Sequence, residues 1–234
     1  MLGKRSDKYP YFPVLIKLID AYDNLSIQVH PDDKYAREVE NEYGKTEMWY
    51  VLDAAEGATL IYGFKQEISS QEFKEAIENN TLLDKLNVVN VKKGDTFFIE
   101  AGTVHAIGKG AMIAEIQQNS NCTYRVYDYG RVGADGKSRK LHIKKAIDVS
   151  KTVPPKYDIK HGDRTADNNI AHHTETNALS HSGKIMRAVA VADKRLNALS
   201  KTDLQHNDQH ICFHCNAHCG NSIIAVARKK HINH

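Results

Sequence analysis

The sequence predicts a mainly β protein, a barrel or sandwich interrupted by short helices. Three observations support this. Apolar or alternating runs of four to eight residues recur at close spacing, turn residues separate them, and two brief amphipathic stretches open on helix-capping residues. Val14–Ile19 is a short apolar run that suits a buried strand, and Leu25–Val29 alternates as a strand does. Pro31 ends that strand, and Pro31-Asp32-Asp33 opens an amphipathic helix running to Glu42, with the aspartates as its caps. Glu47–Leu52 is strand-like, and Ala58–Gly63 is expected to pair with it. Ser69-Ser70-Gln71-Glu72 has the form of a capping box leading a helix through Ala76. Asn87–Val91 and Thr96–Ile99 flank the turn Lys93-Gly94-Asp95, and Met112–Gln117 and Thr123–Asp128 are two further strands.

After about Pro155 the character changes. From His161 to His234 the chain is rich in His, Asn, Asp and Lys, and only Met186–Val191 and Ile223–Ala227 look capable of burial. The expected organisation is a folded unit over 1–153 and, over 154–234, a degenerate or poorly ordered remnant of a second small β-domain. The chain has 234 residues, 32 basic and 29 acidic side chains and a formal net charge of +3. That balance gives no electrostatic footprint for nucleic acid or an anionic membrane. No apolar run approaches the roughly 20 residues of a membrane span, and the first residues lack the form of a secretory signal. Three of the four cysteines crowd near the end, which is no disulfide framework, so a cytoplasmic setting is expected.

Chemistry concentrates in three segments. In Ser26-Ile27-Gln28-Val29-His30, residues two apart share a strand face, so Gln28 and His30 point together. In Gly44-Lys45-Thr46-Glu47-Met48-Trp49 the same alternation groups Lys45, Glu47 and Trp49. In Ile99-Glu100-Ala101-Gly102-Thr103-Val104-His105 a strand ends in a glycine-containing turn that presents a histidine. Two imidazoles, one carboxylate and one amide oxygen suit a borderline divalent ion such as zinc. Each histidine alone reads more readily as a satisfied polar group; it is the joint pattern that points to one shared site. In the tail, Cys212-Phe213-His214-Cys215-Asn216-Ala217-His218-Cys219 holds a C-x-x-C and two histidines, but lacks the two separated ligand pairs of a structural zinc unit. Cys122 stands apart as a small core residue.

The segments LSIQVHPDD, GKTEMWYVL, AGTVHAIGKG and QQNSNCTYRVYDYGR together resemble the type I mannose-6-phosphate isomerases, most closely the short bacterial form. The resemblance runs from about Leu15 to Val153. It implies a cupin-like, jelly-roll barrel, one bound zinc ion per chain, and interconversion of mannose 6-phosphate and fructose 6-phosphate, with a small-molecule sugar phosphate as partner and the oligomeric state left open. It implies Gln28, His30, Glu47 and His105 as metal ligands, Arg125 as the essential arginine and Lys45 as an active-site residue. Three departures accompany it. Glu100 stands where the second cupin motif has proline, the opening strands and a GE-x-W-like segment are expected ahead of this chain's start, and the tail does not resemble the family's second domain. The barrel is therefore expected to be incomplete at its N-terminus.

Moving a proton between C1 and C2 of the sugar passes through an enediol(ate), whose charge a metal can stabilise. Lys45 is a candidate base or oxyanion partner, or else an exposed strand-end charge. Arg125 is expected to share a strand face with Thr123 and Tyr127 and offers a guanidinium fork for phosphate or enediolate, or else forms a rim ion pair with Asp128. Trp49 and Tyr127 line the sugar pocket or belong to the core. Two competing readings are a non-catalytic metal- or sugar-binding cupin remnant and a chain too incomplete to fold stably.

Overall fold

A computed structural model describes residues 13–133, 136–161, 211–214 and 223–228. The chain forms β1 (Val14–Asp20), β2 (Ile27–Val29), α1 (Asp33–Glu40), β3 (Glu47–Ala54), β4 (Thr59–Phe64), α2 (Ser70–Glu78), α3 (Leu82–Lys85), β5 (Leu86–Asn90), β6 (Thr96–Ile99), β7 (His105–Ile107), β8 (Ala111–Gln118), β9 (Tyr124–Tyr127), α4 (Ile143–Val149), β10 (Ile211–His214) and β11 (Ile223–Arg228). Two sheets face each other, with strand orders β10-β11-β1-β8-β3-β6 and β5-β4-β7-β2-β9. This is the mainly β, cupin-like architecture that the sequence predicts.

Local chemistry fixes the elements as expected at several points. Asp32 caps α1 by accepting from the Tyr35 amide at 2.8 Å, and Ser69 and Glu72 complete a capping box at α2. One expectation on pairing is corrected. β4 does not pair with β3; it lies in the other sheet between β5 and β7, while β6 and β8 flank β3. The turn Lys93-Gly94-Asp95 carries the chain from β5 in one sheet to β6 in the other. Apolar periodicity reports burial and is silent about which sheet a strand enters. The sequence reading also missed α3, α4 and β7.

Three apolar clusters hold the sheets. The inner one, between them, centres on Trp49, Val51, Leu60, Tyr62, Phe97 and Ile113. On the outer side of the five-stranded sheet, α2 and α4 cover Ile27, Val29, Ile61, Val104 and Val126, with Phe73 and Ala146 as their contributions. A smaller cluster around Met48, Ala114 and Ile116 lies on the outer side of the six-stranded sheet. Residues 154–161, read from sequence as the start of a second unit, run along β6: Lys160 bridges to Thr96, and the Tyr62 hydroxyl donates to the carbonyls of Phe98 and Tyr157. That contact shields the β6 edge. Ile223–Ala227 falls in β11, which pairs in parallel with β1. Met186–Val191 and the Cys215–Cys219 part of the Cys/His cluster lie outside the described residues, as does most of the 154–234 unit. Among the described residues no helix is long and apolar enough to cross a membrane.

Candidate metal centre

The strand register assembles the site. Across the five-stranded sheet Tyr62, His105, Gln28 and Arg125 form one lateral row, each aligned with the next. Partners aligned in a ladder point to the same side, so this row turns towards the opposite sheet. There β3 presents Glu47 and, two residues on, Trp49. His30 follows β2 directly, and its carbonyl accepts from Gly102 at 2.8 Å, which ties the first ligand segment to the turn carrying the second histidine. Gly102 has φ +89°, and a Cβ there would meet the Val149 carbonyl oxygen at 2.8 Å, so the turn requires glycine. Glu100, at the proline position of the second cupin motif, pairs with Lys151 at 2.8 Å beside this turn. Gly44 is equally constrained: a Cβ would lie 2.4 Å from Asp32 backbone. That close approach and the Lys45 amide bond to the Pro31 carbonyl bring the KTE segment against the end of QVHP.

His30, Glu47 and His105 are fully buried and place one ligand atom each within 4.8 Å of the others. Each imidazole is oriented through Nδ1, which donates to a backbone carbonyl: His30 to Cys122 at 2.9 Å and His105 to Thr103 at 2.8 Å. That assignment leaves both Nε2 lone pairs facing the centre. His30 Nε2 lies 3.1 Å from Glu47 Oε1, His105 Nε2 lies 3.7 Å from Glu47 Oε2, and Gln28 Nε2 lies 3.5 Å from His105 Nε2. The amide of Gln28 is symmetric enough in shape to present its oxygen there instead. The second oxygen of Glu47 accepts from the Trp49 indole at 3.0 Å.

Burial above all, then Lys45, pushes the His30 imidazolium down to about pKa 3, against the opposing pull of Glu47. Burial also lowers His105. Burial would raise Glu47, but the Lys45 ammonium beside it is the largest influence that holds it well below the usual carboxylate range. The three groups therefore stand deprotonated, the state in which such side chains can bind a metal. His30 Nε2 and Glu47 Oε1 are buried without an aligned hydrogen-bond partner despite their 3.1 Å separation. A lone pair facing a carboxylate is unfavourable unless a cation lies between them. Bonds of about 2.0–2.1 Å around a tetrahedral zinc put neighbouring donors about 3.3 Å apart, and the three separations bracket that value. On donor set and spacing, the residues fit a zinc ion.

Lys45 is not an exposed strand-end charge. It precedes β3, is buried, and its Nζ lies 3.1 Å from Glu47 Oε1. Arg125 donates to Ser26 Oγ at 3.3 Å and to the Lys140 carbonyl at 3.2 Å, both neutral acceptors. Its expected ion pair with Asp128 is replaced: Asp128 is bound by Arg131 and Arg139. Nor does Arg125 share a face with Tyr127. The register shifts between Ile27 and Gln28, so Gln28 aligns with Arg125 and Ile27 with Tyr127. This bulge sends Val126 and Tyr127 both to the outer cluster. Trp49 is core, and its indole is bonded to Glu47.

Sequence reasoning missed a second inward polar group on the six-stranded sheet. Glu115 is buried, aligned with Trp49 on one side and Lys17 on the other, and pairs with Lys17 at 2.8 Å. Lys17 also contacts Gln117, which aligns with Glu47. Burial and then the Glu47 charge raise the Glu115 carboxyl, with Lys17 opposing. The signal was present as Glu115 and Gln117 spaced two apart in an apolar strand, and a lone lysine in VLIKLID.

The mannose-6-phosphate isomerase of Streptococcus mutans is 50% identical over 144 residues, covering 62% of this chain and 45% of its own. The mannose-6-phosphate isomerase ManA of Bacillus subtilis is 47% identical over 153 residues, covering 64% and 48%. Over that stretch the chain is similar to the mannose-6-phosphate isomerases. The crystal structure of the Bacillus subtilis mannose 6-phosphate isomerase superposes with a TM-score of 0.61 at 41% identity, covering 68% of this chain and 51% of that one. The chain spans about half the length of the curated relatives it matches. No family model matches it.

Proposed function

We propose that this protein is a zinc-dependent aldose–ketose isomerase that interconverts mannose 6-phosphate and fructose 6-phosphate through an enediol(ate). The observation that carries the reading is the buried meeting of His30 Nε2, His105 Nε2 and the Glu47 carboxylate, with His30 Nε2 and Glu47 Oε1 left without aligned partners. Its substrate comes from the similarity to mannose-6-phosphate isomerases. His30, Glu47, His105 and the Gln28 amide oxygen hold the ion. When bound, the ion acts as a Lewis acid towards the sugar oxygens. Gln28 is neutral and leaves the ion's charge uncancelled. Trp49 fixes the rotamer of Glu47, and the two backbone carbonyls fix the imidazoles.

Lys45 sits against Glu47, where its ammonium can stabilise charge developing on a sugar oxygen or, deprotonated, carry the proton between carbons. Glu115, its carboxyl raised by burial, is a second group able to hold that proton. Arg125, whose hydrogen-bond partners among the described residues are neutral, offers its fork to the anionic end of the substrate. Metal analysis and an isomerase assay on one preparation test the proposal. The expected result is close to one zinc per chain and turnover of mannose 6-phosphate that Arg125→Lys or Lys45→Met abolishes. A zinc-loaded, cooperatively melting protein with no turnover would instead favour the non-catalytic binding module.

A further inference from the structure

The Asp128 carboxylate is 6% exposed and sits just past β9, three residues after Arg125. Two guanidinium groups saturate it. Arg131 Nη2 donates to Oδ1 at 2.6 Å, Arg139 Nε donates to Oδ2 at 2.7 Å, and Arg139 Nη2 also reaches Oδ1. The Arg139 contact is a two-point fork, the most directional ion pair available to a carboxylate. Arg131 also donates through Nε to the Asp128 carbonyl and through Nη1 to the Asn24 carbonyl. Between the two arginines, Val132 and Ser138 pair as an antiparallel bridge.

The consequence lies one residue beyond Arg139. The Lys140 carbonyl is the acceptor for Arg125 Nη1, and His142 exchanges two bonds with the Arg125 backbone: the Arg125 amide donates to Nδ1 at 3.2 Å, and the His142 amide donates to the Arg125 carbonyl at 2.8 Å. Pinning Arg139 thus places the carbonyl that aims Arg125. The same two arginines occupy the carboxylate that would otherwise be the nearest counter-ion for Arg125 along the strand. A guanidinium held by neutral acceptors keeps its charge available to an incoming anion.

We infer that Asp128 is a positioning residue: by binding Arg131 and Arg139 it orients Arg125 and leaves its charge for the phosphate end of the substrate. This rests on the isomerase reading, so the test has one readout that does not. In Asp128→Asn, the Arg125 Nε–H resonance, assigned by its loss in Arg125→Lys, shifts or broadens together with that of Arg139. In the assay, the KM for mannose 6-phosphate rises about tenfold while kcat stays within about twofold, the pattern of lost uniform binding. In the Arg125→Lys background, measured by mannose 6-phosphate binding, Asp128→Asn adds less than about twofold, because the two act as one unit. Asp128→Glu restores part of the KM. An unmoved Arg125 resonance, or an effect of Asp128→Asn that is undiminished beside Arg125→Lys, overturns the inference. Absence of turnover in the zinc-loaded parent overturns the isomerase reading instead, and the resonance of Arg125 still decides this one.

Discussion

The two sheets divide the chemistry of the site between them. The six-stranded sheet supplies the inward carboxylates Glu47 and Glu115, with Lys17 beside them. The five-stranded sheet and the residue after β2 supply His105, Gln28, Arg125 and His30. Neither sheet alone holds a metal-binding set. The donors meet only because the inner cluster around Trp49, Leu60, Tyr62 and Phe97 packs the sheets face to face. The outer face of the five-stranded sheet is the counter-example: equally buried, but made of Ile27, Ile61, Phe64 and Val126 and covered by helices that add Phe73 and Ala146. The same strands thus carry chemistry on one side and cohesion on the other.

Breaking the contribution of the six-stranded sheet should have the largest effect. Glu47→Gln removes the one carboxylate of the set and strands Lys45, whose Nζ lies 3.1 Å from it in a fully buried setting. Breaking a buried pair in this way costs about 3–5 kcal/mol. Bound zinc, measured by metal analysis, should fall below about a tenth per chain, and urea midpoints should drop with or without metal. Phe73→Ala attacks the other side of the comparison. Phe73 is wholly buried against Phe64, so about 3–5 kcal/mol of stability should go. Zinc per folded chain should remain near one. Loss of zinc in the folded Phe73→Ala protein would show that the two faces are not separable. Trp49→Phe is a smaller change. It keeps most of the packing volume and deletes the indole bond to Glu47 Oε2; stability should fall by about 1 kcal/mol and zinc affinity by about tenfold, both read from a zinc titration followed by melting.

How much of this the sequence shows follows from the same division. Ligand spacing along a strand is local, so Gln28 and Glu47 could be assigned to inward faces from alternation alone, and Asp32 and Ser69 could be read as caps. Which sheet each strand joins depends on long-range pairing, and β4 was misassigned for that reason. The bulge opposite Ile27 and Gln28 is set by the register of two strands about 100 residues apart; no periodicity in TYRVYD reveals that Tyr127 leaves the face of Arg125. Lys45 and Glu115 were difficult for a different reason. A charged residue in or beside a strand is usually exposed, and only its buried partner, Glu47 two residues along for Lys45 and Lys17 on the neighbouring strand for Glu115, shows why each can be buried.

The smallest expected effect concerns the rim. Burial raises the Asp128 carboxyl, but the hydrogen bonds from Arg139 and Arg131 outweigh it and hold the group below its ordinary value. A folded-state value below the unfolded one of about 3.9 means that the contribution to stability is complete above that pH. It is lost as the pH falls through the folded-state value, where Asp128 takes up a proton and releases both arginines. Asp128→Asn cannot titrate. Its metal-free stability should therefore lie below that of the parent at pH 6, and the gap should narrow as acid is added below about pH 4. Urea melts of both metal-free proteins over that range measure it. A gap that stays constant into acid would mean that the Asp128 charge contributes nothing to folding, and the rim would then differ from the centre, where charge and burial are bound together through Lys45 and Glu47.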